Sequence, residues 1–221
     1  MHLPCPLLLP IFLDIRIVVD QGPAGPASIG QQREAAIDSE TLLQEISGYC
    51  RKVGMAESTF GRLSPTQLNW KPSAERWSVA QCFDHLLTSN KGYFPHIEGV
   101  IAGIKPTFWQ RMPVLPGLAG KLLIKSLDPK STRKIKAPGK FQPAQSDISA
   151  SVIDDFADQQ ARIVEKMKAT EHLDLEKIII TSPVASVITY SLMDAYRVIV
   201  VHEARHFQQA RRVTEEAAFP A

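Results

Sequence analysis

The sequence predicts an all-α protein, a four-helix bundle with a long loop between the second and third helices. Three observations carry that expectation. Four stretches place apolar residues at helical spacing. Only one short run, Ile178 to Thr181, reads as a strand, and no second convincing strand exists to pair with it. The last stretch, Tyr190 to Glu216, contains no glycine or proline. Long helices with mixed connections bury their apolar stripes against one another as a bundle. At 221 residues, a compact chain hides about 70% of its unfolded surface and needs no disulfide to stabilise a core.

The elements follow in order. Met1 to Gly30 reads as a disordered leader or a gene start set too early, and residues 31–221 as the bundle domain. Met1 to Leu13 has no charged residue but three prolines. It is shorter than the roughly 20 apolar residues a membrane span needs, and it lacks the basic start of a secretory signal. Gln21 to Gly30 has linker composition. Gln31 to Arg62 is the first predicted helix, with Gly48, Gly54 and Gly61 arguing against one continuous rod. Ser78 and Gln81 form a capping box, so a second helix runs from Val79 toward Gly103, kinked or divided at Pro95. Lys105 to Pro143 is mostly connection, with a short helix near Leu118 to Leu127. It carries a basic cluster (Lys121, Lys125, Lys130, Arg133, Lys134, Lys136 and Lys140) that suits a solvated surface or an anion contact. Asp147 to Ala169 is the third helix and Tyr190 to Glu216 the fourth.

Composition excludes several classes. Hydrophobic residues at 44% and charged residues at 22% describe a folded globular chain. A net charge of +2 argues against a dedicated nucleic-acid binder. Cys5, Cys50 and Cys82 form no CxxC and no even framework, which suits reduced thiols in a cytoplasm. Cys82 reads as a small core residue.

Chemistry gathers on histidine. His202 and His206 lie four apart on the last helix, so both rings leave one face. Their stripe also holds Ala195, Val198, Ile199 and Val213, while Arg197, Ala204, Gln208 and Arg211 lie opposite. Two inward imidazoles among apolar neighbours need partners: a metal ion is one solution, and core tyrosine, aspartate or backbone groups are another. The string His202-Glu203-Ala204-Arg205-His206 also fits H-E-x-x-H, in which the glutamate is the general base of zinc peptidases. Position 212 is arginine rather than a third ligand, and such an enzyme needs an edge strand to hold substrate. Glu203 points about 100° from His202 and reads as a helix-flank carboxylate, with a catalytic base as its alternative. Gln209, three residues after His206, is a candidate partner for the site. His85, on the second helix, is a candidate third ligand or an ordinary satisfied histidine. His96 is eleven residues further, about 16 Å along a straight helix, too far to join His85 on one ion.

The stretch Leu63-Ser64-Pro65-Thr66-Gln67-Leu68-Asn69-Trp70-Lys71-Pro72, followed by Arg76-Trp77-Ser78-Val79-Ala80-Gln81-Cys82-Phe83-Asp84-His85-Leu86, resembles the DinB/YfiT-like superfamily. So do Lys136 to Pro143 and the closing His202-Glu203-Ala204-Arg205-His206-Phe207-Gln208-Gln209 segment. The resemblance covers about Ser39 to Glu216. It implies a four-helix bundle with a divalent metal held by His85, His202 and His206. Zinc is the first expectation, with nickel, iron or manganese as alternatives. Relatives include thiol-dependent S-transferases and a mycothiol-dependent isomerase. The resemblance therefore implies a low-molecular-weight thiol and a small-molecule substrate.

The leading expectation is a metal-dependent S-transferase or hydrolase, cytoplasmic, with no nucleic-acid or membrane partner. The alternatives are an HExxH zinc peptidase and a metal-free homodimeric interaction module.

Overall fold

The computed structural model describes residues 29–105, 107–108, 116–127, 138–144 and 147–221, with side chains from residue 40 and from residue 120 in the two helices that enter these ranges. Residues 1–28 of the predicted leader, Cys5 among them, lie outside them, as do Lys130, Arg133, Lys134 and Lys136 of the basic cluster; the leader's last two residues, Ile29 and Gly30, belong to the first helix. Lys121, Lys125 and Lys140 are exposed.

The chain is built on helices α1 (Ile29–Val53), α2 (Ala56–Phe60), α3 (Pro65–Asn69), α4 (Val79–Lys91), α5 (Phe94–Ile101) and α6 (Pro116–Ser126). A 3-10 turn follows at Gly139–Phe141, then α7 (Val152–Thr170), a hairpin of β1 (Ile179–Thr181) and β2 (Thr189–Ser191), and α8 (Leu192–Thr214). The all-α expectation holds: the only sheet among the described residues has two short strands. Also among these residues, no helix is long and apolar enough to cross a membrane.

Several boundaries depart from the sequence reading. The first predicted helix ends at Val53, and α2 is separate. Gly54 marks the break: a Cβ there would stand 3.3 Å from the Cys50 carbonyl oxygen and 3.4 Å from Cβ of Gln160 on α7. The second divides at Gly92 and Tyr93, with Pro95 in the first turn of α5, where its missing N–H costs nothing. The third starts at Val152 rather than Asp147. Ile179–Thr181 does find a partner, since Tyr190, placed by periodicity in the last helix, pairs with Ile180. The helix starts two residues later, at Leu192, where the Ser191 hydroxyl accepts from the Asp194 N–H at 3.0 Å.

α4 and α8 pack antiparallel, and their pairings run in opposite chain order. Phe83 lies near Phe207, ring centroids 6.5 Å apart. Asn90 bonds to Glu203. The Tyr190 hydroxyl donates to the Tyr93 hydroxyl at 3.0 Å. At one end of this pair the aromatic core is edge-to-face: Phe60 on Phe83 at 5.3 Å, Phe60 on Phe207 at 5.2 Å and Phe83 on Phe156 at 5.0 Å. At the other end Tyr190, Met193 and Tyr196 join Ile97, Ile163 and Leu175. Cys82 is fully buried, as its core reading required, and so is Cys50.

Phe83 touches aromatic rings from α2, α7 and α8 and is fully buried. Phe83→Ala should destabilise the protein by about 3–5 kcal/mol in urea unfolding, and a loss below about 1 kcal/mol would show that these rings do not share one core.

Candidate metal centre

His85 reaches the site because α4 begins where it does. The Ser78 hydroxyl accepts from the Gln81 N–H at 3.1 Å, and Gln81 Oε1 accepts from the Ser78 N–H at 3.2 Å. This is the capping box expected from sequence. Three side chains of α4 then hold the end of the 3-10 turn and the residues that follow it. Gln81 Nε2 donates to the Ala144 carbonyl at 2.9 Å, Asp84 Oδ2 accepts from the Ala144 N–H at 2.8 Å, and His85 Nδ1 donates to the Phe141 carbonyl at 2.5 Å. The last bond places the His85 proton on Nδ1 and leaves Nε2 with a free lone pair.

That Nε2 lies 3.0 Å from Nε2 of His202. His206, one turn further along α8, completes a triangle. Ring centroids are 4.9 Å apart for His85 and His202, and 4.6 Å for each of the other two pairs. One ring nitrogen from each histidine lies within 4.8 Å of the other two. His85 and His206 are buried and His202 is partly so. His206 Nδ1 is buried with no hydrogen-bond partner. A cation among the three nitrogens satisfies that orphan and relieves the two facing Nε2 atoms, so the donor set fits a divalent metal.

Electrostatics agree with that fit. Burial lowers the pKa of all three imidazoles. For His85, the Phe141 carbonyl partly offsets the effect. His202 is pushed down to about 3 by burial first, then by His85 and the Arg205 guanidinium. His206 falls well below its ordinary value through burial first, then His202, His85 and Arg205, against a hydrogen bond that its ring donates to Gln209. All three rings are therefore neutral at pH 7, the form that binds a metal. Gln209 lies within hydrogen-bond reach of His206. His96 is half-buried on α5 and His172 exposed, and neither belongs to the cluster.

Glu203 requires a correction. It is not on the flank of the helix but wholly buried, and Ala204, which the helical wheel had set on the outer side, is buried to 9% exposure. Glu203 Oε1 accepts from Asn90 Nδ2 at 2.7 Å and from Gln160 Nε2 at 2.8 Å. Burial raises its pKa to about 7, with those two bonds opposing the rise. The sequence also gave no warning of Trp77 as a wall of the site. Its ring stacks on His206 at 5.5 Å and 22°, and tilts against His85 at 4.9 Å. The Phe141 carbonyl was equally invisible, because a backbone acceptor has no residue signature. Asn90, Gln159 and Gln160 did leave a signal, being polar residues on otherwise apolar stripes of α4 and α7.

A bundle with three neutral imidazoles converging from two antiparallel helices defines a class: helical proteins with a three-histidine group that could hold a metal ion. A sequence model of the DinB superfamily matches residues 54–210, and the chain belongs to that superfamily. No curated protein and no solved structure matches it.

Two outcomes follow from the geometry. A Cβ on Gly92 would clash with Pro183 Cβ at 2.9 Å, while its 3.6 Å approach to the Phe141 ring is ordinary contact. Gly92→Ala should cost about 1–3 kcal/mol in urea unfolding, and an unchanged midpoint would show that the Pro183 loop yields. The second outcome concerns pH. His202 titrates near 3 when folded, against 6.5, so its share of stability is complete above pH 6.5 and is lost as pH falls toward 3. Glu203 titrates near 7 when folded, against 4.5. Its share is therefore complete below pH 4.5 and is lost as pH rises through 7. The two oppose each other between pH 4.5 and 6.5. In metal-free protein, Glu203→Gln should steepen acid destabilisation there by up to about 1.4 kcal/mol per pH unit, read from urea midpoints; a slope equal to wild type contradicts the assignment.

Proposed function

We propose that the protein is a metal-dependent enzyme that acts on a small molecule, transferring a low-molecular-weight thiol to an electrophile, with hydrolysis as the second reading. The observation that carries this is the group of three neutral histidines with an orphaned, buried Nδ1 on His206. A three-imidazole donor set leaves a coordination position for a reactant, as catalytic rather than closed structural sites do. A divalent ion held there would stabilise a thiolate, or a hydroxide, near neutral pH.

The protein's own residues divide the remaining work. The Phe141 carbonyl fixes the His85 tautomer, and Trp77 covers one side of His85 and His206. Gln209 orients the His206 ring. The peptidase alternative draws no support from Glu203, because its Oε1 is taken by Asn90 and Gln160 inside the bundle. A base for an attacking water would have to face the open position instead.

Elemental analysis of the purified chain tests the first half of the proposal. About one divalent ion per chain is expected, falling to near zero in His85→Ala; a metal-free wild type that takes up no zinc would sink it. The second half is tested by following loss of a small thiol with an alkylating electrophile. Thiol loss should exceed the background rate only with metal and with His85 intact. Substrate loss that proceeds without thiol would select hydrolysis.

A further inference from the structure

Four buried side-chain atoms have no partner among the described residues: His206 Nδ1, Asn90 Oδ1, Gln160 Oε1 and Glu203 Oε2. The first belongs to the metal centre. The other three belong to one network, which the proposed chemistry does not use. Asn90 Nδ2 donates to Glu203 Oε1 and to Gln159 Oε1, the latter at 3.1 Å. Gln160 Nε2 donates to the same Glu203 oxygen, and Gln159 Nε2 donates to the Leu87 carbonyl at 2.9 Å. The network thus ties α4, α7 and α8 together at one level.

As a source of stability this is a poor choice. A buried, partly satisfied polar cluster is costly, and apolar residues of similar volume are often neutral or better. Its placement suggests another use. Glu203 is adjacent to His202 and one turn before His206, and Asn90 follows His85 by five residues. The neighbouring contact between α4 and α8 on the other side of the histidines is Phe83 against Phe207, ring centroids 6.5 Å apart, and a ring contact of that length tolerates small displacements better than a hydrogen bond does. Hydrogen bonds of 2.7–2.8 Å are directional and short-ranged. Sliding α8 by one turn, about 5.4 Å, would leave the Glu203 carboxylate among apolar side chains with no donor.

We propose that Asn90, Gln160 and Glu203 form a register lock, which holds α4 and α8 at the one offset where His85 meets His202 and His206. They are positioning residues, and the inference rests on the metal-site reading above. Zinc coordination needs nitrogens about 2.0–2.1 Å from the ion, so a small error in helix offset loses a ligand while leaving the bundle folded.

The test measures zinc affinity by competition with a chromophoric chelator, beside urea unfolding of the metal-free protein, on the full chain. Asn90→Leu and Glu203→Leu should weaken zinc binding by about 10–100-fold without a matching loss of metal-free stability. Glu203→Gln keeps the acceptor oxygen for both amides and should bind zinc nearly as wild type does. Gln160→Met removes one donor, and its smaller loss keeps the test alive if a leucine variant does not fold. Wild-type binding with equal binding by all variants overturns the lock and leaves the functional proposal standing. Glu203→Gln as weak as Glu203→Leu overturns it too, since charge rather than register would then be at work. A wild type that binds no zinc removes the functional proposal and the lock with it.

Discussion

The antiparallel contact between α4 and α8 is the constraint on which the rest of the molecule depends. Along that single seam lie an aromatic level, the three imidazoles, a buried carboxylate with its amide, and a tyrosine pair. The hydrogen-bonded level and the imidazoles need the same offset, and the ring contacts are compatible with it. Other elements are placed to serve it. α7 supplies Phe156 to the aromatic level and Gln160 to the polar one. The residue 138–144 segment is stitched to α4 by Gln81, Asp84 and His85, and supplies the carbonyl that sets a tautomer. The hairpin of β1 and β2 adds Tyr190 and delivers the chain into the capped start of α8.

The legible part of this was what side-chain period and capping chemistry encode. Apolar spacing located the helices, and Ser78 with Gln81 fixed the start of α4 to the residue. The histidine pair on α8 followed from its spacing of four. His85 was reached through resemblance to the superfamily, because one histidine on one helix carries no address of its own. The misses share a physical cause: they depend on what arrives from elsewhere in the fold. Tyr190 continues the helical period perfectly well, and only pairing with Ile180 makes it a strand residue. Gly54 ends α1 where Gln160 of α7 packs close, which α1 alone does not reveal. Ala204 and Glu203 are buried because α8 is enclosed on more than the one stripe that a two-sided wheel assumes.

Burial electrostatics bind the site and its neighbourhood together. Three imidazoles are driven toward neutrality by the same desolvation that drives Glu203 toward its protonated form. The interior thus disfavours charge of either sign when no ion is present. A divalent cation held there would be bound by the three neutral imidazoles through their lone pairs. Tyr49 and Cys50 on α1 are kept neutral by burial first and by Glu203 second.

The string from His202 to His206 shows why a motif has to be read with its surroundings. The same five letters serve a peptidase when the glutamate faces the open coordination position. On α8 the glutamate sits 100° from one histidine and 60° from the other, as any helix with 3.6 residues per turn requires. That angle alone leaves two outcomes: a carboxylate in the cleft, or one in the core. The neighbours decide between them. Asn90 and Gln160 present amide donors from α4 and α7, and the carboxylate turns to meet them. A polar residue on an otherwise apolar stripe of a facing helix is therefore the discriminating sign. Asn90 on α4 and Gln160 on α7 carry it, and they mark Glu203 as a residue that serves the histidines from behind rather than one that meets the substrate.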